Sequence, residues 1–214
     1  MSNLSRNIYD IVDTDTYDID SKGTGNSYSE TFLGDKKAVR YRLSGNRIES
    51  VIRPTVLSAG NKYEVYYEFS IPETHPDNFC VIFQFLQATD SNGVSNPSIQ
   101  LHVNKQQLKL LIKDLAAGVR ELVGAGTNQW EIQYIPGRRY RCMWRFDVSK
   151  SAGSGFLDFY VDGVLVYSES GDPIFVDVAQ DPSLKMGLYT GDEDTSSERV
   201  IDVLDYYTSR YEDN

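Results

Sequence analysis

The chain has 214 residues, 40% of them hydrophobic, and carries a formal net charge of −10 with a sequence pI near 4.7. This acidity argues against a general nucleic-acid binder or a protein that adsorbs to anionic membranes, since both need a basic face. With 15 Tyr and 9 Phe to fill the faces of sheets, one all-β domain is the simplest organisation.

Residues 1–34 form a predicted acidic and partly irregular N-terminal arm, ahead of a predicted domain at 35–214. Residues 10–20 carry five aspartates, but the spacing and the closing glutamate of an EF-hand are absent. A solvated acidic loop is therefore favoured over a structural calcium site, and we expect no metal or other cofactor.

The same N-terminal segment lacks the basic start and the apolar run of a signal peptide. We therefore expect synthesis in the cytosol, with the final location open between the cell interior, a cell surface and a virus particle. No stretch approaches the length of a membrane span, so no membrane partner is expected.

From residue 37 onward, apolar and polar residues alternate in short runs separated by turns, which is typical of β-strands. The predicted strands of the first two thirds are 38–43, 47–53, 62–70, 79–87, 98–103, 107–113 and 129–135. Residues 114–127 are open between a helix, a lid and a plain loop.

Residues 138–167 contain the clearest pattern of the chain. Five apolar residues alternate with polar ones here: Tyr140, Cys142, Trp144, Phe146 and Val148. A second strand and a returning strand meet at Asp162-Gly163, a dipeptide that favours a two-residue hairpin turn. Further strands at 184–190 and 199–207 complete an all-β chain, and the pattern predicts an antiparallel β-sandwich of the jelly-roll type.

The two cysteines, Cys80 and Cys142, each lie inside an apolar strand run. Two buried thiols are therefore predicted rather than a disulfide. No CxxC or histidine cluster indicates a transition-metal site.

One sheet of a jelly roll is usually concave, and elongated ligands lie on its exposed face. Polar residues that alternate with core residues are therefore the candidate site. Gln84 is unusual among them, because it lies in the middle of a strongly apolar strand and an unpaired buried amide costs about 1–3 kcal/mol. We expect Gln84 to have buried partners or to belong to a site.

The order of elements resembles the jelly-roll polysaccharide lyases, with their concanavalin A-like sandwich: the alginate, glucuronan and heparin lyase-like families. The resemblance covers roughly residues 37–207. The motifs that carry it are Arg47-Ile48-Glu49, Gln84-Phe85-Leu86, Gly137-Arg138-Arg139-Tyr140, Val161-Asp162-Gly163 and Lys185-Met186-Gly187-Leu188-Tyr189.

The resemblance implies β-elimination of a uronic-acid polysaccharide. Gln84 would neutralise the sugar carboxylate so that the C5 proton becomes acidic, and Tyr189 would be the acid, or the acid and the base together. The resemblance also implies residues that hold the polyanion, with one acidic residue to orient an arginine. This substrate-binding set is Arg47, Glu49, Arg53 and Lys185, and the alternation of strand 98–103 adds Gln100.

This chain departs from the family pattern at one position, because Leu86 stands where the family has a histidine. Leucine can neither accept nor donate a proton. His102, on the predicted strand 98–103, is the candidate that enters the same groove, and we include it in the tentative catalytic set.

Three functions follow. The favoured one is a module that binds an anionic polysaccharide with weak or no catalysis, for which exposed aromatic residues such as Tyr66 or Tyr160 would line the groove. The second is an active polysaccharide lyase. The third is a structural or decoration module of a virus particle or surface assembly, in which residues 1–34 contact a neighbouring copy.

Overall fold

The structure is a computed structural model, and its description covers residues 5–8, 18–22, 24–52, 57, 60–72, 79–86, 97–104, 106–112, 131–148, 155–171, 183–190 and 197–211. The calcium and loop predictions for 10–17 and 114–127 lie outside these residues. Within them, no helix is long and apolar enough to cross a membrane.

The described residues form strands β1 to β15 and no helix. Their bounds are β1 Ser5–Ile8, β2 Asp18–Lys22, β3 Ser27–Leu33, β4 Lys36–Leu43, β5 Arg47–Ile52, β6 Lys62–Ser70, β7 Cys80–Leu86, β8 Pro97–Asn104, β9 Gln107–Ile112, β10 Glu131–Gln133, β11 Arg139–Asp147, β12 Phe156–Val161, β13 Val164–Ser170, β14 Ser183–Tyr189 and β15 Arg199–Tyr211.

Two antiparallel sheets pack face to face. The eight-stranded sheet has the order β13-β12-β11-β6-β15-β4-β3, with β1 also paired to β15; the seven-stranded sheet has the order β10-β9-β8-β7-β14-β5-β2. Each sheet combines runs of consecutive strands with pairs that are far apart in the chain, such as β5 with β14. The predicted antiparallel jelly-roll sandwich is confirmed.

A column of aromatic rings joins the two sheets. Trp144 from β11 is fully buried and stacks at 3.9 Å between centroids on Phe159, its cross-strand partner in β12. On its other side it stacks at 5.2 Å on Phe83 from β7, in the opposite sheet. The apolar residues that alternate within 140–148 thus form a core face, because strand side chains point alternately to the two sides of a sheet.

The hairpin between β12 and β13 turns at Asp162-Gly163, as the dipeptide predicts. Both residues have positive φ, 51° and 82°, which glycine adopts freely and aspartate tolerates. The Asp162 carboxylate also accepts hydrogen bonds from Arg138 Nη2 at 2.7 Å and from the Arg141 backbone N–H at 3.1 Å. These contacts tie the turn to β11 and to the residue just before it.

The N-terminal segment contributes strands to both sheets of its own chain. β1 pairs with the end of β15, and β2 pairs with β5 on the edge of the other sheet. β3 pairs along its whole length with β4. The described parts of the predicted arm are therefore used in backbone pairing within the sandwich.

Both cysteines are buried and free, as predicted. Cys80 is 0% and Cys142 is 1% exposed, and they belong to the core cluster between the sheets. Burial raises the pKa of the Cys80 thiol to about 12 and raises that of Cys142 as well, since an apolar core disfavours the thiolate.

Candidate functional site

The outward side of the seven-stranded sheet gathers most of the candidate residues. Their neighbours in sequence belong to the core, so period-two alternation turns them to the opposite side of the sheet. We call this surface the polar face, and its residues are Arg47, Glu49, Gln84, Gln100, His102, Lys109, Lys185, Gly187 and Tyr189. Five of them are at most 8% exposed: Glu49, Gln84, Gln100, His102 and Lys185.

Backbone register arranges these residues in two cross-strand rows. In the first row, Tyr189 lies opposite Arg47 on one side and opposite Val81 on the other. Val81 in turn lies opposite His102. Since adjacent strands are about 4.8 Å apart, the Tyr189 and His102 backbones are about 10 Å apart, with one strand between them.

The second row carries the amides and an ammonium group. Lys185 lies opposite Gln84, and Gln84 lies opposite Gln100. Long polar side chains directly across neighbouring strands come within contact distance of one another. The register therefore brings Gln84, Lys185 and Gln100 to neighbouring positions on the polar face.

An irregularity in β7 sets the relation between the two rows. Phe83 pairs with Leu101 while Val81 pairs with His102, so β7 has one residue, Ile82, in excess of β8. Ile82 and Phe83 both belong to the core cluster, which only a bulge allows for consecutive residues. The bulge therefore places Val81 between Tyr189 and His102.

Glu49 is fully buried and connects the rows through side-chain contacts. Its Oε1 accepts a hydrogen bond of 2.7 Å from Gln84 Nε2, and its Oε2 is 3.3 Å from Arg47 Nε. A buried carboxylate is tolerated only with such partners. Glu49 is thus a buried partner for Gln84, whose apolar setting called for one, and it forms an ion pair with Arg47.

Arg47 also stacks on Tyr189. Its guanidinium carbon lies 4.2 Å from the centre of the Tyr189 ring. Both side chains are only partly buried. The contact holds a positive charge against the ring and leaves both residues accessible from outside.

His102 is packed rather than free in solvent. Its ring lies 4.8 Å from that of Phe79, and Nδ1 has no hydrogen-bond partner among the described residues. Burial, together with the nearby charge of Lys109, lowers the pKa of His102 to about 4. The imidazole is therefore neutral at physiological pH.

Gly187 separates Lys185 from Tyr189 along β14 and leaves no side chain between them. Its φ is +145°, and a Cβ added there would lie 2.3 Å from the carbonyl oxygen of Ile48 on β5. Only glycine fits such a close approach of two backbones. Gly187 therefore allows β14 and β5 to approach closely between the ammonium of Lys185 and the phenol of Tyr189.

Two predicted groove aromatics lie elsewhere, so that prediction is wrong. Tyr66 and Tyr160 are on β6 and β12 of the eight-stranded sheet, on its outward side. Tyr66 stacks on Tyr207 at 5.0 Å and donates a hydrogen bond of 2.6 Å to Glu68. Alternation identified the exposed side of each strand but could not assign the strand to a sheet.

Two further residues can be placed only in part. Arg53 lies outside the described residues, as does the side chain of Leu86, whose backbone ends β7. One residue was missed: Lys109 on β9, which pairs with His102. The alternation of Leu108, Lys109 and Leu110 indicates that Lys109 points out of the core. The sequence does not show which strand pairs with β9, and this pairing is what brings Lys109 to the polar face.

In the part of the chain that the structure describes, no group of three or more histidine, cysteine, aspartate or glutamate residues is placed to hold a metal ion. The charges of the polar face are instead Arg47, Lys109 and Lys185 against Glu49. Backbone register also sets charged residues of the two edge strands opposite this set: Lys22 opposite Arg47, Asp20 opposite Glu49 and Glu131 opposite Lys109. The arrangement can hold an anion beside a phenol and a neutral imidazole.

The family model for polysaccharide lyase matches residues 10–202 of the chain. No curated protein matches. Among solved structures, the chain is similar to the endo-β-1,4-glucuronan lyase of the fungus Trichoderma reesei, with a TM-score of 0.70 and 15% identity over 97% of this chain and 95% of that one.

Two other solved structures are also similar to the chain. A double mutant of alginate lyase Aly36B, in complex with alginate tetrasaccharide, gives a TM-score of 0.58 and 13% identity over 80% of each chain. The cellulose-induced protein Cip1 gives a TM-score of 0.60 and 10% identity over 92% of each. At these identities the likeness to solved structures shows the shared fold.

Proposed function

The chain belongs to the polysaccharide lyase family, and on that basis we propose that its polar face binds an acidic polysaccharide and cleaves it by β-elimination. The observation that carries the proposal is the arrangement along β14, where Lys185 and Tyr189 lie on either side of Gly187, each about 7 Å from it along the backbone. The Glu49–Gln84 pair lies beside it. One uronate can thus contact a charge-neutralising group and a proton-transfer group at once.

In this proposal the sugar carboxylate lies between Lys185 and Gln84. Gln84 uses one amide hydrogen on Glu49 and keeps the second for the carboxylate. Neutralising the carboxylate stabilises the negative charge that develops when C5 loses its proton. In so buried a setting these contacts are stronger than they would be in water.

Tyr189 carries both proton transfers. Its phenolate oxygen takes the C5 proton, the C4–O bond breaks as the C4=C5 double bond forms, and the phenol returns the proton to the leaving oxygen. Arg47, stacked on the ring, stabilises negative charge on that oxygen. His102, with a pKa of about 4, is too weak a base for this role and instead contacts the sugar as a neutral group.

The experiment is a lyase assay on alginate, glucuronan, hyaluronan and heparin, followed by the ultraviolet absorbance of the unsaturated product. We expect a signal from the wild type and a loss of roughly 100-fold or more in Tyr189→Phe. Tyr160→Phe, which removes a hydroxyl from the opposite sheet, is the matched control and retains activity. Equal rates for wild type and Tyr189→Phe would overturn the mechanism.

Binding without cleavage is the second candidate, and one observation favours it. Gln84 is 2% exposed and already donates to Glu49, and Leu86 occupies the position of the family histidine. Retention of the protein in gels containing one of the four polymers, with no absorbance change, would establish this alternative. The structural-module hypothesis finds no such support, because the described strands of its attachment arm pair within the chain.

A further inference from the structure

The start of β5 and the end of β14 meet at the turn that precedes β5. This turn, residues 44–46, lies directly before Arg47, and the residue directly after Tyr189 binds to it. The backbone N–H of Thr190 donates to the carbonyl oxygen of Asn46 at 3.0 Å, and the Thr190 hydroxyl donates to the same oxygen at 3.3 Å. One short turn therefore links the strand ends that carry the stacked pair of Arg47 and Tyr189.

Asn26 holds this turn from another side. Its Oδ1 accepts hydrogen bonds from the backbone N–H groups of Ser44 at 3.1 Å and Gly45 at 2.8 Å. Its Nδ2 donates at 2.8 Å to the carbonyl oxygen of Arg47 itself. Both ends of one amide group are thus used, the acceptor on the turn and the donor on the first residue of β5.

The backbone beside Asn26 allows this close approach. Strand β2 ends at Lys22, opposite Arg47, and the Asn26 side chain binds the Arg47 carbonyl where that pairing stops. Gly25 has a φ of +82°, and a Cβ built on it would lie 3.2 Å from the Cβ of Ser44. Glycine adopts such a φ freely and has no Cβ, so it lets the chain bring Asn26 against the turn.

The Arg47 side chain is enclosed by two neighbours and is only 16% exposed. Its Nε lies 3.3 Å from the buried Glu49 carboxylate, and its guanidinium carbon lies 4.2 Å from the centre of the Tyr189 ring. Its position over that ring depends on where the backbone of β5 begins. Since a shift of about 1 Å in a reacting group can cost up to 100-fold in rate, the contacts that fix this backbone bear on the reaction.

We propose that Asn26 is a positioning residue of the site, which fixes Arg47 over the Tyr189 ring by holding the Arg47 carbonyl and the turn before it. The assignment rests on the proposed function, in which Arg47 stabilises negative charge on the Tyr189 oxygen. Asn26 acts through Arg47, because the contact it makes there is to the Arg47 backbone. Its loss should lower kcat and leave KM near the wild-type value, since that charge develops during the reaction and not on binding.

Two substitutions separate the two ends of the amide. Asn26→Ala removes both, whereas Asn26→Asp keeps an acceptor for the turn and loses the donor to Arg47. In the lyase assay we expect each variant to lose roughly tenfold in kcat with little change in KM. Neither should lower kcat further in an Arg47→Met background, because the effect passes through that side chain. Asp147→Ala, which removes a 3.0 Å contact to the backbone N–H of Phe156 in the other sheet, is the matched control and keeps its kcat.

A second readout needs no activity: the NMR signal of the Arg47 Nε–H, which the face of the Tyr189 ring shifts upfield. Tyr189→Leu should return this signal to the ordinary range, and both Asn26 variants should move it in the same direction. An unmoved signal overturns the inference, as does a wild-type kcat in Asn26→Asp or a further loss of kcat in the Arg47→Met background.

Failure of the proposed function looks different, because then the wild type cleaves none of the polymers. The NMR comparison still decides in that case whether Asn26 positions Arg47. Urea unfolding of Asn26→Ala identifies a loss of fold, and Asn26→Asp, in which the turn keeps its acceptor, separates such a loss from a loss of position.

Discussion

Gln84 Nε2 donates a hydrogen bond of 2.7 Å to Oε1 of Glu49, across a sheet whose intervening strand, β14, carries Gly187 at that level. Gly187 pairs with Glu49 and Lys185 pairs with Gln84, so this contact crosses β14 diagonally. Five features of the molecule, this contact among them, lead to measurable expectations.

Replacing Glu49 by leucine should destabilise the protein by about 2–4 kcal/mol, because the buried Gln84 amide and the Arg47 guanidinium lose a partner. Glu49→Gln keeps the shape and an acceptor oxygen, so a smaller loss is expected. Urea unfolding measures both. A loss for Glu49→Leu below that for Glu49→Gln would show that the carboxylate is not needed.

The free energy of unfolding should decrease as the pH falls from 6.5 to about 4, because His102 is harder to protonate in the folded protein than in the unfolded chain. Its pKa is about 4 in the folded protein against 6.5 for an ordinary histidine, so between these values the unfolded chain binds a proton that the folded one does not. His102→Gln removes this difference. Between pH 6.5 and pH 4, the free energy of unfolding should therefore decrease by about 3 kcal/mol less in His102→Gln than in the wild type.

A second variant tests what lowers the pKa of His102. Lys109→Met removes the cation that helps to lower the His102 pKa, so the ring should titrate at higher pH, as followed by its NMR signals. Identical pH dependence in the wild type and in His102→Gln would contradict the assignment.

Gly187→Ala should cost about 2–4 kcal/mol or more, because alanine is strained at a φ of +145° and its Cβ would meet the Ile48 carbonyl oxygen. Gly34→Ala is the matched control. Its φ is +68° with no atom within 4 Å of a built Cβ, so only the conformational cost of about 1 kcal/mol applies. Thermal unfolding of the two variants gives the comparison, and equal losses would contradict it.

Trp144→Ala should destabilise the protein by about 3–5 kcal/mol, because it empties the space between Phe83 and Phe159 and leaves a cavity between the sheets. Trp144→Phe, which keeps one stacked ring, should cost clearly less. Denaturant unfolding followed by circular dichroism measures both. A small effect of the alanine variant would mean that the two sheets close over the gap.

The two thiols should be inert in the native protein, since both are at most 1% exposed and burial raises the pKa of Cys80 to about 12. A disulfide-exchange reagent should modify neither until urea unfolds the chain, and then both. Rapid reaction of one thiol under native conditions would contradict this, and Cys80→Ala would identify which.

The strands and their exposed sides could be predicted because they depend on local alternation, as in residues 140–148. Gln84 was recognisable for the same reason, as a polar residue in an apolar run. What the sequence could not predict is which strands adjoin: Arg47 and Tyr189 are neighbours only through the pairing of β5 with β14. The placement of Tyr66 and Tyr160 failed, and Lys109 was missed, because sheet membership and register are long-range properties.

The bulge at Ile82 has a consequence for anyone who would move this site to another sandwich. Copying the side chains of β7, β8 and β14 onto regular strands would pair His102 with Ile82 instead of Val81, so the imidazole and the phenol would no longer share a row. The extra residue Ile82 is thus needed for the arrangement of the site, although its side chain belongs to the core and takes no part in the chemistry. A transplant would have to carry the irregularity along with the functional groups.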